Sequence, residues 1–254
     1  PMTREDAMNL RAIESEIDGH PNPIEGFPFF DAATGSLGQG LSVAAGLGVA
    51  AKIDGIDKRI YCIVGDGESR EGQIWEAVDF ISENGLSNVC PIFNCNVYAQ
   101  SDKVSKLQAP QVTAKKLEAA GYTVLSIDGH DPAAVRDALN AHVENAGSGK
   151  PFAIVANTVK GWGAEVMQDG NLHGQPVKAD QVATASQQLD AKAQELGATL
   201  SEGDLAIPPV TNQLPQPAAP QQAPSFSDAM KQFGKQENLD KGKWATRRAY
   251  GVAL

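Results

Sequence analysis

The sequence predicts an α/β protein, a doubly wound parallel sheet with helices on both faces. Three observations predict it. Short apolar runs rich in β-branched residues stand at 59–64, 88–93, 122–127 and 152–157, the size of buried strands. Stretches of helical periodicity separate them, and that alternation belongs to parallel strands joined by crossover helices. Glycines also gather where a strand hands over to a helix, at Gly65 and Gly67 above all. In an open sheet of this kind ligands bind at the C-terminal edge of the strands.

Taken in order, residues 3–17 read as a helix, with Thr3 as cap and a loose apolar stripe at Met8, Leu10, Ile13 and Ile17. Residues 19–30 read as a loop holding three prolines and His20. A loop histidine is ordinarily a solvated side chain. Residues 35–51 read as a helix of small residues carrying Gly35, Gly38, Gly40, Gly46 and Gly48. Each interior glycine costs about 1 kcal/mol relative to alanine. Such a helix is worth keeping where a sheet packs tightly against it or a ligand touches its backbone.

The first strand, 59–64, runs into Gly65-Asp66-Gly67, and the helix at 71–83 follows with Ile74, Trp75, Val78 and Ile81 on one side. The second strand ends in Asn94-Cys95-Asn96, followed by a loop at 97–102. Pro91 cannot donate to a central ladder, which predicts a strand end or a local bulge there. A helix at 109–120, a strand at 122–127, a turn at 128–131, a helix at 132–145 capped by Asp131 and a strand at 152–157 complete the rhythm. His130, in the turn, and His142, on a polar helix face, read as structural. The loop at 158–163 delivers Lys160 to the same sheet edge as Asp66. Past Asp180 a polar helix at 182–196 leads to a stretch at 207–225 rich in proline and glutamine, which reads as an extended linker. A short helix at 226–233 follows.

Asp66 and Asn96 thus stand at the C-terminal ends of adjacent strands. One offers a carboxylate oxygen and the other an amide oxygen, hard donors suited to Mg²⁺ or Ca²⁺. Mg²⁺ takes only one or two such protein groups and completes its octahedron with phosphate oxygens and water. A Gly-Asp-Gly alone is most often a turn; the strand before it, the helix after it and Asn96 at the next strand end favour a site for a phosphorylated ligand. The formal charge of −10 argues against nucleic-acid and membrane-surface partners. It leaves a phosphorylated ligand open, because a metal ion and helix N-termini supply local positive potential. Cys62, Cys90 and Cys95 lie among apolar neighbours and read as buried, reduced thiols rather than a soft-metal site, in a cytoplasmic setting. No apolar run is long enough to span a bilayer.

The strings Asp18-Gly19-His20-Pro21, residues 33–41, Asp66-Gly67-Glu68 with Glu71-Gly72 and Trp75-Glu76-Ala77, Gln100-Ser101-Asp102, Lys160-Gly161 and Leu172-His173-Gly174 resemble the transketolase family, and the pair Asp66 and Asn96 looks like its thiamine diphosphate motif. The resemblance runs from about residue 10 to 176. It implies thiamine diphosphate with Mg²⁺ (or Ca²⁺) as cofactors. It implies transfer of a two-carbon ketol unit between sugar phosphates, a reaction of the pentose phosphate pathway, and a homodimer. On this reading Asp66, Asn96 and the Tyr98 carbonyl hold the metal. Gly35, Leu37, Asp66, Gly67, Asn96, Lys160 and His173 line the cofactor. His20 and His173 address the substrate, with His173 favoured for proton handling. Glu71 joins a carboxylate network at the subunit interface, although an acid in a first helical turn is common for the dipole alone, as is Glu68.

By the same resemblance, residues 1–206 are the diphosphate-binding domain without its N-terminal part, 207–243 a linker with a short helix, and 244–254 the start of the pyrimidine-binding domain. The family's activating glutamate lies in the latter, so the chain alone is expected to be inactive. Asn94 stands where transketolases commonly have aspartate, which keeps a pyruvate dehydrogenase-type relative in view. A non-catalytic cofactor-binding subunit that needs a partner chain is the further alternative. A dinucleotide-binding domain is disfavoured, because no Gly-x-Gly-x-x-Gly stands in the required place.

Overall fold

The computed structural model describes residues 4–15, 17–20, 22–23, 31–168, 170–198, 224–242, 245 and 248–250. The chain divides into two units, Pro1–Ile207 and Pro208–Leu254. In the first, four strands form one parallel sheet in the order β1-β2-β4-β3: β1 Ile60–Gly65, β2 Val89–Cys95, β3 Thr123–Asp128 and β4 Phe152–Asn157. Helices α2 (Gln39–Asp54), α3 (Gly72–Glu83) and α4 (Pro110–Ala119) cover one face. Their Leu41, Ala44, Ile74, Val78, Ile81 and Leu117 pack on Val64, Val89, Phe93 and Val155 of the sheet. Helix α5 (Pro132–Asn145) lies on the other face, where Ala138 and Leu139 join Cys90, Ile92, Phe152 and Ile154. The expected doubly wound sheet is therefore present, with three helices against one on its two faces. Helix α6 (Val182–Glu195) follows, as the periodicity predicts.

Two expectations are corrected. The helix foreseen at 3–17 is only α1, Arg4–Met8. Arg11 and Glu14 take positive φ values of 64° and 66°, and Met8 and Ile13 are 76% and 95% exposed. A stripe that leaves Met8, Leu10 and Ile13 exposed gives a short helix little tertiary support, and short helices are marginal without it. Pro91 is neither a strand end nor a bulge. The β1–β2 register runs through it unbroken, Cys62 opposite Pro91. Pairing with β4 begins one residue later, at Ile92, so the ladder on that side does not need the donor that proline lacks.

Helix α2 begins at Gln39, four residues later than expected, because Gly35 and Gly38 hold φ values of 140° and 88°. Gly48 is the close approach: a Cβ there would lie 2.4 Å from Val89 Cγ2, whereas one at Gly46 would meet nothing within 4 Å. The three cysteines are free thiols, and burial raises Cys62 to about 11 and Cys90 and Cys95 to about 12. No helix of the described residues is long and apolar enough to cross a membrane.

In the second unit α7 (Phe226–Gln232) is capped by Ser225, whose Oγ accepts from the Asp228 N–H, and α8 (Gln236–Asp240) follows. Most of the linker foreseen at 207–225 lies outside the described residues, as does most of 244–254 and of the loop at 19–30.

His142 is structural as expected, but it is fully buried in α5 rather than on a polar face. Its Nε2 lies 3.1 Å from the Ser87 carbonyl and therefore carries the proton, and its ring meets the edge of Tyr61 at 5.1 Å. Burial holds its pKa below the ordinary 6.5, helped by the Arg59 charge and opposed by the bond to Ser87. The unfolded chain then takes up a proton that the folded one refuses. Stability is full above pH 6.5 and is lost as pH falls below it toward the folded-state value.

Two outcomes follow for urea unfolding followed by circular dichroism. Gly46→Ala stabilises by about 1 kcal/mol, as an open helix position should, while Gly48→Ala destabilises by about 1–3 kcal/mol through overpacking. Lowering the pH from 7 to 5 destabilises the wild type by no more than about 1.4 kcal/mol per unit for this one group, and His142→Phe flattens that slope.

Candidate cofactor and metal site

β1 and β2 pair in register from Ile60 opposite Val89 to Gly65 opposite Asn94, so the two strands release Asp66 and Asn96 at the same edge. The Asp66 carboxyl is buried, only 2% of the residue being exposed. Its Oδ1 accepts from the Gly67 N–H at 2.8 Å and its Oδ2 from the Val97 N–H at 2.6 Å. Burial nevertheless raises its pKa from the ordinary aspartate value, the N–H groups of Gly67, Val97 and Asn96 pulling the other way. Such a carboxylate is short of positive charge, which a cation would supply. The Asp66 carbonyl is held as firmly. It accepts from Ser69 Oγ at 2.6 Å and from Gln108 Nε2, and the same amide nitrogen reaches the Gly67 carbonyl at 3.3 Å.

The loop after β2 folds back over this turn. Asn96 Oδ1 accepts from the Tyr98 N–H at 3.1 Å, and Tyr98 pairs with Lys103 in an isolated antiparallel bridge. Val97, between them, has a φ of 65°. The left-handed region costs an L-residue about 1–2 kcal/mol, and the Val97 N–H bond to Asp66 offsets part of it. Gly67 is a close approach: a Cβ would sit 3.0 Å from the Cα and Cβ of Ala99, so that loop would have to give way. Asp66, Gly67, Asn96 and Tyr98 therefore form one interlocked double turn.

A second wall comes from residues 35–38. A Cβ on Gly35 would fall 2.9 Å from His20 Cδ2, so the His20 ring packs on the Gly35 backbone. A Cβ on Gly38 would fall 2.9 Å from that of Glu71, which brings Glu71 to the foot of α2. Leu37 is 45% exposed, and the side chains of His20 and Glu71 are exposed. Glu68 joins this wall to the double turn, its Oε1 accepting from the Gly38 N–H at 2.8 Å and its Oε2 from the Gly65 N–H at 2.9 Å.

The loop after β4 carries Lys160, half-buried, and among the described residues Lys160 has no ion pair. The loop itself is clamped. Thr158 Oγ1 donates to Asn94 Oδ1, and His130 Nε2 accepts from the Val159 N–H at 2.8 Å. The His130 ring also stacks on Trp162 at 4.3 Å, and Lys192 lies 5.5 Å from the same indole. His173 is exposed in a turn. Two residues earlier Asn171 Nδ2 donates to the Ala99 and Gln100 carbonyls, both at 2.9 Å, tying the His173 segment to the loop that follows Tyr98.

A family model described as the thiamine diphosphate-binding domain of transketolase matches residues 1–197. The chain belongs to the transketolase family. It is 36% identical over 250 residues to transketolase of Rattus norvegicus, covering 97% of this chain and 37% of that protein. It is 34% identical over 251 residues to transketolase-like protein 2 of Bos taurus, with 98% and 37% covered. The solved transketolase of Campylobacter jejuni superposes with a TM-score of 0.62 at 32% identity, over 73% of this chain and 30% of that one. The chain thus spans little more than a third of the length of the curated relatives it matches.

Several residues of this candidate site escaped sequence reasoning. Glu68 reads as one more acid in a first helical turn, and nothing local marks its two long-range bonds. Gln108 did leave a signal: Ser105-x-x-Gln108 is a capping box, and its Oε1 accepts from the Ser105 N–H at 3.2 Å. What the signature does not reveal is that the amide nitrogen reaches Asp66. Nothing local marks Asn171, two residues before His173. His130, read as structural, is structural, but it anchors the Lys160 loop as well as its own turn.

Gln108 is 4% exposed and serves three backbone groups. Gln108→Leu removes all three bonds, leaving the Asp66 carbonyl to Ser69 and the Gly67 carbonyl to the Arg70 N–H, and is expected to destabilise the chain by about 1–3 kcal/mol in urea unfolding.

Proposed function

We propose that this chain is the diphosphate-binding part of an enzyme that moves a two-carbon ketol unit between sugar phosphates, using thiamine diphosphate and Mg²⁺ (or Ca²⁺). The observation that carries the reading is the buried Asp66 carboxylate, interlocked with Asn96 and Tyr98 at the strand edge. The donors fit a hard cation: one carboxylate, one amide oxygen and one carbonyl, with positions left for phosphate oxygens and water. Among the described residues no three His, Cys, Asp or Glu side chains cluster, so a soft or all-side-chain metal site has no support.

Asp66, Asn96 and the Tyr98 carbonyl would hold the metal, and Gly35, Leu37, Gly67, Lys160 and His173 would line the cofactor. Thiamine diphosphate, held by these residues, would supply a carbon nucleophile and an electron sink for cleavage of the donor's carbon–carbon bond. Lys160 offers the diphosphate or the sugar phosphate a point charge from its clamped loop. His20, packed on Gly35, and His173 face the substrate with imidazoles suited to hydrogen bonding and to proton handling near neutral pH. Glu71 sits in the interface of a homodimer, and the exposed Val43, Ile53 and Phe80 on α2 and α3 give such an interface apolar surface.

Calorimetric titration with thiamine diphosphate tests the reading. Binding is expected with Mg²⁺ and not with EDTA. Asp66→Ala should weaken it by more than the roughly 10–100-fold that outer-shell partners command. It also weakens as pH falls, because protonation of Asp66 competes with the metal, and the raised pKa starts that competition at a higher pH than an ordinary carboxylate would. The 254-residue chain alone is expected to show no ketol transfer. Activity regained with a second polypeptide supports a part that needs a partner, and turnover with pyruvate rather than a ketose phosphate as donor overturns the substrate class.

A further inference from the structure

Among the described residues the Glu68 side chain is hydrogen-bonded to both walls of the candidate site. Its two oxygens are divided between the N–H of Gly38, thirty residues away, and the N–H of Gly65, three residues away. Gly65 is the last residue of β1 and immediately precedes Asp66. Gly38 immediately precedes α2, and the segment that carries Gly35 and Leu37 ends on it. A bond from a backbone N–H to a carboxylate is roughly twice as strong as a neutral one. Both donors are glycines, with no side chain of their own to set a spacing. Gly38 makes no side-chain cap for α2, and its φ of 88° is one that other residues rarely adopt. The gap between the Gly35 wall and the Asp66 turn is therefore set largely by the length of one glutamate.

We propose that Glu68 is a positioning residue for thiamine diphosphate, a clasp that fixes the distance between residues 35–38 and the Asp66 turn and so sets cofactor affinity. The inference rests on the functional reading above. Its charge is informative. A half-buried carboxylate near Asp66 adds negative potential where an anionic diphosphate would bind, so its value lies in the geometry it holds. Glutamine, nearly the same shape, presents an N–H₂ to one of the two N–H groups and cannot close the clasp. Aspartate keeps the charge and is one methylene too short to reach both.

The experiment uses the full chain with Glu68→Gln and Glu68→Asp, each checked for native circular dichroism. Amide hydrogen exchange at Gly38 and Gly65 is read by NMR, and the Kd for thiamine diphosphate in saturating Mg²⁺ by calorimetry. The expected result is faster exchange at Gly38 in both variants and a Kd raised roughly 10–100-fold, the range for groups that orient a site without touching its ligand. A role in stability alone would lower the urea midpoint and leave the Kd of the folded protein unchanged, which overturns the proposal. Unchanged exchange at Gly38 overturns it too, since the clasp would then not hold that segment. If the wild type binds no thiamine diphosphate, the functional reading fails and the clasp loses its purpose with it. If the wild type binds and both variants bind equally well, the proposal on Glu68 alone falls.

Discussion

The Asp66 residue is buried through its carboxyl and bonded through its carboxyl and its carbonyl, and the surrounding loops are arranged around those bonds. Two backbone N–H groups from different strand ends approach the carboxylate, while Ser69 and Gln108 hold the carbonyl. Burial still wins over those bonds, so the charge remains under-compensated. Gly65 opposite Asn94 is the last β1–β2 pair; β1 leaves the sheet at Asp66, while β2 runs one residue further, pairing Cys95 with Asn157 of β4, and leaves at Asn96.

Around that residue the loops of the edge are tied to one another by polar side chains. Glu68 ties the β1 turn to the start of α2, Gln108 ties it to the turn before α4, and Asn171 ties the His173 segment to the loop after Tyr98. Thr158 ties the loop after β4 to Asn94 near the end of β2, and His130 joins the loops after β3 and β4. The Asn94 that departs from the usual aspartate thus has a structural partner of its own. These ties use few apolar contacts, so the edge is ordered by hydrogen bonds while the core beneath it is ordered by packing. Buried polar networks of this kind are costly when incomplete and specific when satisfied.

Much of this was legible in the residues. The strand at 152–157 matches β4, and Asp131 caps α5 with its side chain on the Ala133 N–H at 2.9 Å. The placement of Asp66 and Asn96 at neighbouring strand ends also follows from the two apolar runs. The helix at 3–17 failed for an equally physical reason, since periodicity without burial does not hold a helix together. Pro91 misled because its effect depends on which neighbouring ladder needs the missing donor, and a single strand's sequence does not say.

The sequence by itself determined the alternation of strands and helices, the edge at which chemistry could sit and the hard-oxygen character of its donors. Those properties arise from local residue type and from spacings shorter than one β–α unit. Only the tertiary structure decided that Glu68 spans two glycine turns, that Gln108 grips the Asp66 carbonyl, that His142 is buried and that α2 starts at Gln39. Each of those depends on a contact between segments roughly thirty to fifty-five residues apart, or on a backbone turned into the left-handed region, and neither leaves a periodic mark in the chain.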